Sequence, residues 1–296
     1  KKLYNAIIFE FMKDKLVIQK KSFLQKFFIK LIRKFGYEVI DQSNLIIPSK
    51  NLKASQNLSE SGKFSISIPL GKTEITRRVK SLTIIIRSYT FGDVDDSKVM
   101  LDQNKKRIFD LPKNEYTLRT IKSVVKSCEI AKEYFKDVNI KIIVTDDKSS
   151  KENLDKIDQI LKASDLKTEL INIKEHEFND QIKTIDTEGK DISKNMISNM
   201  RNLFKSIQIA ETEDTDLFYF LEDDYIHARE AITEMLFTYE KISSQLNREL
   251  FLCPADYPYL YSSIDDSKIF FGNMRHWRSV NETLITFLTS KKMINK

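Results

Sequence analysis

Three apolar runs in this 296-residue chain end abruptly in polar groups. Leu82-Thr-Ile-Ile-Ile86 runs into Arg87-Ser88-Tyr89, and Ile140-Lys-Ile-Ile-Val144 runs toward Asp146-Asp147. Leu217-Phe-Tyr-Phe-Leu221 runs into Glu222-Asp223-Asp224. Short β-branched or aromatic runs of this kind suit strands covered on both faces, and open α/β sheets bind ligands outside the carboxyl ends of their strands. Five carboxylates gathered at one edge repel one another if left bare. A divalent cation relieves that repulsion, and Mg²⁺ and Mn²⁺ both favour carboxylate and phosphate oxygens. Held by one or two carboxylates, such an ion completes its shell with substrate phosphates and water. The chemistry implied is a nucleoside diphosphate bound with Mn²⁺ or Mg²⁺. A lone acidic triplet after an apolar run is commonplace. One strand ending in Asp-Asp and a later one ending in Glu-Asp-Asp, with helices between them, is not.

The elements that must position these groups follow from periodicity. Residues 117–135 set Ile121, Val124, Val125, Cys128 and Ala131 on one side of a helix. Residues 154–161 are helical, 168–173 form a strand, and 196–210 form a helix turning Met200, Leu203, Phe204 and Ile207 inward. Strands alternating with helices predict an α/β fold with a mainly parallel, Rossmann-like sheet flanked by helices. No internal repeat is visible.

Ahead of this body the character differs. Residues 1–53 hold 12 Lys/Arg against 4 Asp/Glu, so the remaining 243 residues sum to −2 although the whole chain is +6. The basic balance therefore belongs to an N-terminal arm. A nucleic-acid-binding core needs its basic face on the folded domain, so no nucleic acid is expected as a partner. Residues 16–35 space Phe23, Leu24, Phe27, Phe28, Leu31 and Ile32 as a helix, with lysines and Arg33 around them. Such a helix either docks its apolar stripe on the body or lies on an anionic membrane surface. Residues 41–63 read as a linker, and Phe64-Ser-Ile-Ser-Ile68 as a short strand. The expected organisation is an extension over 1–53, linker and strand over 54–80, and the main domain over 81–296. Gly71-Lys72-Thr73 is not a P-loop, because the first glycine of that motif is missing.

With 41% hydrophobic and 10% aromatic residues, and only 6 Gly and 5 Pro, disordered and collagen-like classes are excluded. Cys128 and Cys253 are too far apart in sequence for a metal cluster or disulfide framework, which suits a reducing compartment. The longest uncharged stretch near the start, Leu3 to Phe9, is far short of a span. A cytoplasmic protein, peripheral at the inner membrane face if the arm binds lipid, is the expectation.

Taken in order, these pieces resemble the family 2 type glycosyltransferases, which have the GT-A nucleotide-diphospho-sugar transferase fold. Residues 82–89 are similar to the family's first strand, Leu118-Arg-Thr-Ile-Lys-Ser-Val124 to the following helix, and Asp146-Asp147-Lys-Ser149 to the ending of its second strand. Asn199-Met-Arg201-Asn202 looks like the segment opening the helix before the metal motif. Phe218-Tyr-Phe-Leu-Glu222-Asp223-Asp224 resembles the strand with the DxD motif, Glu222 replacing its first Asp. The resemblance covers roughly residues 81–290. It implies that Ser88 and Tyr89 line the base and ribose pocket, and that Asp146 or Asp147 bonds the base or ribose. It also implies Arg201 beside the nucleotide, Asp223 facing ribose or sugar, and Asp224, helped by Glu222, on the metal. The activity implied is transfer of a sugar from a nucleotide-diphosphate donor to a glycan or lipid-linked acceptor hydroxyl.

The sequence also departs from the pattern. Lys148 stands where a small residue is usual, and 27 residues separate Tyr89 from Thr117, longer than the family norm. The family's general base lies C-terminal to a strand that residues 283–293 resemble, so it is expected beyond Lys296. Asp256, His276, Trp277 and Arg278 are candidates for the acceptor side, since aromatic faces stack on sugars and Arg holds phosphate. His227 either assists the metal or starts the next helix. A binding module without turnover is the alternative function. A sugar nucleotidyltransferase fits less well, because residues 87–96 contain a single glycine, Gly92, rather than a glycine-rich loop.

Overall fold

The computed structural model describes residues 22–35, 74–90, 112–185, 189, 191–257 and 267–296. The chain divides into two compact units, Lys1–Gly71 and Lys72–Lys296. The described part of the first is one helix, α1 (Phe23–Lys34), which exposes Phe23, Leu24, Phe27, Phe28 and Leu31. Residues 16–21, the strand expected at 64–68 and the Gly71-Lys72-Thr73 tripeptide lie outside the described residues, as does most of the long segment before α2. Among the described residues no helix is long and apolar enough to cross a membrane.

The second unit runs β1 (Ser81–Ser88), α2 (Lys113–Tyr134), β2 (Asn139–Asp146), α3 (Lys151–Lys162) and β3 (Lys167–Asn172). It continues with α4 (Lys194–Thr212), β4 (Leu217–Glu222), α5 (Ala231–Leu246) and β5 (Phe251–Leu252). A hairpin of β6 (Ile269–Phe271) and β7 (His276–Arg278) precedes β8 (Phe287–Ser290) and the short α6 (Lys291–Ile294). Six strands make one sheet in the order β3-β2-β1-β4-β8-β5. β1 to β4 are parallel, and β8 runs antiparallel to both β4 and β5. This is the α/β architecture expected, a mostly parallel sheet between helices.

The continuous apolar runs are explained by helices on both faces. Successive strand side chains point to opposite sides. Ile84, Ile142 and Tyr219 therefore join a large cluster with Ile121, Val124, Ile157 and Met235 from α2, α3 and α5. Their neighbours Ile85, Ile143, Phe218 and Phe220 pack on the other face against Ile209 and Ala210 of α4. Both faces are dry.

Helix starts matter because they aim side chains at the edge. α2 begins four residues before the expected Thr117, directly after Pro112, whose carbonyl accepts from Glu115 N at 3.0 Å. α4 begins at Lys194, where Ser193 caps Met196 N at 3.2 Å, so Arg201 and Asn202 lie beyond its first turn.

Residues 74–80, read from sequence as the end of a linker, belong to the second unit. Arg77 is the reason. Its guanidinium bonds Asp216 at 2.6 and 2.9 Å and Glu249 at 3.1 Å, while Ser244 Oγ accepts from Arg77 N at 2.9 Å. Val79 N donates to Glu240 at 2.8 Å, and Tyr239 OH donates to Glu249 at 2.6 Å. A stretch without regular structure is thereby tied to α5 and to the residue before β4. Arg77→Ala would strand two half-buried carboxylates, and should lower stability to urea, followed by circular dichroism, by about 2 kcal/mol.

Candidate functional site

Parallel pairing places Ser88 level with Asp146 and Arg87 level with Glu222. The chain moves outward from β1 through β2 to β3, then returns to place β4 on the other side of β1. The carboxyl end of β1 is therefore a topological switch point, where open α/β sheets leave a crevice. Every nucleotide-side residue singled out from the sequence sits on β1, β2, β4, α4 or the turns that follow those strands.

Asp146 is spent on local structure. It accepts from Ser88 Oγ at 2.9 Å, Ser149 N at 2.9 Å and Ser149 Oγ at 2.5 Å. Burial raises its pKa, the bonds from Ser149 and Ser88 pull it back, and neighbouring Asp223 adds to the rise. The turn it braces holds Lys148 at φ 74, a left-handed conformation that costs a non-glycine residue roughly 1 kcal/mol.

Asp147 is different. It is fully buried, yet neither carboxylate oxygen has a hydrogen-bond partner. Its nearest cation is Arg201, whose Nη1 lies 3.7 Å from Oδ2. Arg201 donates through Nη2 to Asn179 Oδ1 at 2.7 Å, while its Nε and Nη1 have no acceptor. Beside them Asn202 holds Ser88 O at 3.0 Å through Nδ2 and leaves Oδ1 unmatched. Buried polar atoms almost always find partners, so this group is shaped for a ligand with both donors and acceptors.

The acidic triplet is not bare. Arg87, 4% exposed, sets Nη2 3.0 Å from Glu222 Oε1 and donates through Nη1 to Asn199 Oδ1 at 3.1 Å. Burial raises the Glu222 pKa, Arg87 opposes the rise, and Asp224 and Asp223 reinforce it. Asp223 is saturated: Oδ1 receives Lys113 Nζ at 2.5 Å, and Oδ2 receives Thr117 Oγ1 at 2.7 Å and Tyr89 N at 3.1 Å. Asp224 is exposed. Among the described residues no group of three His, Cys, Asp or Glu side chains is placed to hold a metal ion. Of the carboxylates expected around a divalent cation, Glu222 faces Arg87, and Asp223 between the two expected ligands faces Lys113. Lys113 and Thr117 were not singled out as site residues from sequence, and Asn199 entered only as the start of the segment that contains Arg201. Pro112 ahead of a helical run was the signal available, since proline marks helix starts.

His227 lies before α5 rather than in it. Its Nδ1 is 2.9 Å from Tyr225 O and its Nε2 is 2.9 Å from Tyr219 OH, and burial lowers its pKa. Both ring nitrogens are engaged within the protein, so it holds the loop and not a metal.

The acceptor-side candidates form a second group. Arg278 donates to Asp256 at 2.8 Å, and Tyr257 OH lies 2.8 Å from Tyr225 OH, one residue past the triplet. Trp277 is half-buried on the core, its Nε1 donating to Glu234 Oε1 at 3.0 Å. His276 is exposed, edge-on to Phe271 at 5.0 Å. Glu234 also accepts from Asn273 N, Met274 N and Arg275 N at 3.1, 2.7 and 3.3 Å, which fixes the hairpin turn on α5. A Cβ at Gly272 would overlap Glu234, Thr238 and Trp277, so only glycine fits.

No protein-family model matches the chain, and no curated protein matches it. Among solved structures, core-mannan synthase A from Aspergillus fumigatus in its Mn/GDP form is similar at 12% identity and a TM-score of 0.24. The match covers 64% of this chain and 41% of that one, and is too slight to bear on function.

Glu234 gives the hairpin a pH dependence. Burial disfavours its charge, but the bonds from Trp277, Met274, Asn273 and Thr238 outweigh burial and lower its pKa below the ordinary 4.5. The stabilisation is therefore complete above pH 4.5 and is lost as pH falls through the lowered value. Fluorescence of Trp277, the only tryptophan, should shift to the red in that acid range while far-ultraviolet dichroism reports on the core. Gly272→Ala should show the same red shift at neutral pH.

Proposed function

We propose that the second unit binds a nucleoside-diphosphate sugar at the carboxyl edge of its sheet and transfers the glycosyl group to an acceptor hydroxyl. The observation that carries this reading is the buried pair of Asp147 and Arg201, one with two unmatched acceptor oxygens and the other with two unmatched donor nitrogens. A nucleoside diphosphate offers base N–H or ribose O–H donors to the carboxylate and anionic oxygens to the guanidinium. Arg matches phosphate geometry closely, since its donors form a planar fork. Ser88, Asp146 and Asn202 hold the two strand ends and α4 around that pair, and Tyr89 follows Ser88 at the end of β1. In transfer the bond from the anomeric carbon to the diphosphate breaks as the acceptor oxygen bonds to that carbon. Charge then develops on the departing diphosphate, and this reading assigns Arg201 to meet it. Asp256, His276 and Arg278 are the residues assigned to the acceptor side.

A second reading, donor binding without turnover, is favoured by one observation: all the contacts of Asp223 with Lys113, Thr117 and Tyr89 N are internal ties. The exposed apolar stripe of α1 (Phe23, Leu24, Phe27, Phe28 and Leu31, with Lys30 and Lys34 also exposed) supports contact with an anionic membrane surface.

Calorimetric titration with UDP and GDP should show one of them binding the wild type, with Asp147→Asn weakening it about tenfold or more. Binding of neither would overturn the nucleotide reading. Nucleoside diphosphate released from UDP- or GDP-sugars in the presence of acceptor separates transfer from binding alone. The full chain should sediment with phosphatidylserine-containing vesicles and not with phosphatidylcholine vesicles, and Phe27→Asp with Phe28→Asp should abolish that; unchanged sedimentation would exclude α1 as the contact.

A further inference from the structure

The charge at the sheet edge is balanced by side chains of the chain itself. Glu222 faces Arg87 at 3.0 Å, and Asp223 faces Lys113 at 2.5 Å. Both cations are withdrawn from water, with side chains 3% and 14% exposed. They are held there from different elements, Arg87 by β1 and Asn199 of α4, Lys113 by the first turn of α2. A divalent ion placed on the same two carboxylates would sit beside two fixed positive charges, and in a partly buried site that repulsion is weakly screened.

The unmatched guanidinium nitrogens point the same way. Arg87 Nε, Arg201 Nε and Arg201 Nη1 are buried donors with no acceptor, on residues at least nine-tenths buried. Donors on a guanidinium are satisfied by anionic oxygen and never by a metal ion. These nitrogens are therefore places for a ligand's acceptor oxygens, while the unmatched oxygens of Asp147 and Asn202 await its donors.

We infer that Lys113 and Arg87 supply the positive charge that a divalent ion would otherwise bring, so that a nucleoside diphosphate binds this site without metal. The inference rests on the nucleotide reading above and fixes how that ligand's charge is met. Lys113 lies opposite the end of β4 and Arg87 at the end of β1, so the two flank the crevice at the switch point. Neither is part of the acidic motif that the sequence displays.

The test is calorimetric titration of the full chain with UDP and with GDP, first in excess EDTA and then with Mn²⁺. The nucleotide that binds should do so in EDTA with an affinity within about threefold of that in Mn²⁺. Lys113→Ala should weaken it about tenfold to a hundredfold in EDTA, the scale of one charge-assisted hydrogen bond, whereas Lys113→Arg should retain most of the affinity. Thermal melts confirm that the variants are folded, and the wild-type comparison needs no variant. Binding that appears only with Mn²⁺ would overturn the inference and leave the nucleotide reading standing. Unchanged affinity in Lys113→Ala would overturn it too. Binding of neither nucleotide under either condition would remove the reading on which it rests.

Discussion

Charge taken out of water must be met by opposite charge or by hydrogen bonds, because an unmatched buried ion costs several kcal/mol. That constraint organises the carboxyl edge of this sheet. Parallel pairing fixes Arg87 level with Glu222 and Ser88 level with Asp146 before any ligand arrives. Asp223 then becomes a knot. Through its two oxygens it joins the residue after β1, the first turn of α2 and the end of β4. The crevice owes its shape to these ties as much as to the strands themselves. Against that background the unsatisfied atoms of Asp147 and Arg201 stand out, since Glu222, Asp223 and Asp146 each have partners within the protein.

The order of strands and helices from β1 to β4 was legible because its signals are local, whereas α5 and the short strands β5 to β7 went unread. Apolar runs such as residues 217–221 could only be strands covered on both faces, and the polar groups ending them had to share an edge once the sheet was parallel. What could not be read was the partner of each charge. The acidic triplet looks bare in sequence because Lys113 stands 110 positions away from Asp223 and Arg87 faces Glu222 from another strand. The sequence reading counted these carboxylates without the cations that face two of them. Helix starts were misjudged for a similar reason. Polar first turns such as 113–116 carry no apolar stripe, so periodicity missed the stretch that delivers Lys113. Arg77 was absorbed into a linker because a single cation among Lys, Arg and Thr residues gives no hint of the two carboxylates waiting for it.

The acceptor side shows how a conspicuous cluster can mislead about which member does what. Four consecutive residues, 275–278, gather two guanidiniums, an imidazole and an indole. In the structure they divide their duties. Trp277 turns inward and is tied to Glu234, Arg278 is tied to Asp256, and His276 is left exposed. Glu234 behaves as an anion seated among consecutive backbone N–H groups, with the anion supplied by the protein's own helix. The rigidity of the hairpin therefore comes from α5 rather than from its own two short strands, which alone would be marginal in water.

The sheet is not filled in the order the chain is made. Among the described residues β8 is the last strand in sequence, it lies between β4 and β5, and β5 pairs with no other strand. During synthesis β4 therefore emerges with an open edge, and β5 has nothing to pair with for roughly 35 more residues. At ribosomal rates of about 5–20 residues per second, that edge stays uncovered for seconds, long compared with the formation of the parallel core around β1 and β2. An unpaired strand bearing Leu217, Phe218 and Tyr219 invites association with other chains. The nascent protein is thus most vulnerable between the synthesis of β4 and that of β8, and its dependence on chaperones should be concentrated in that interval.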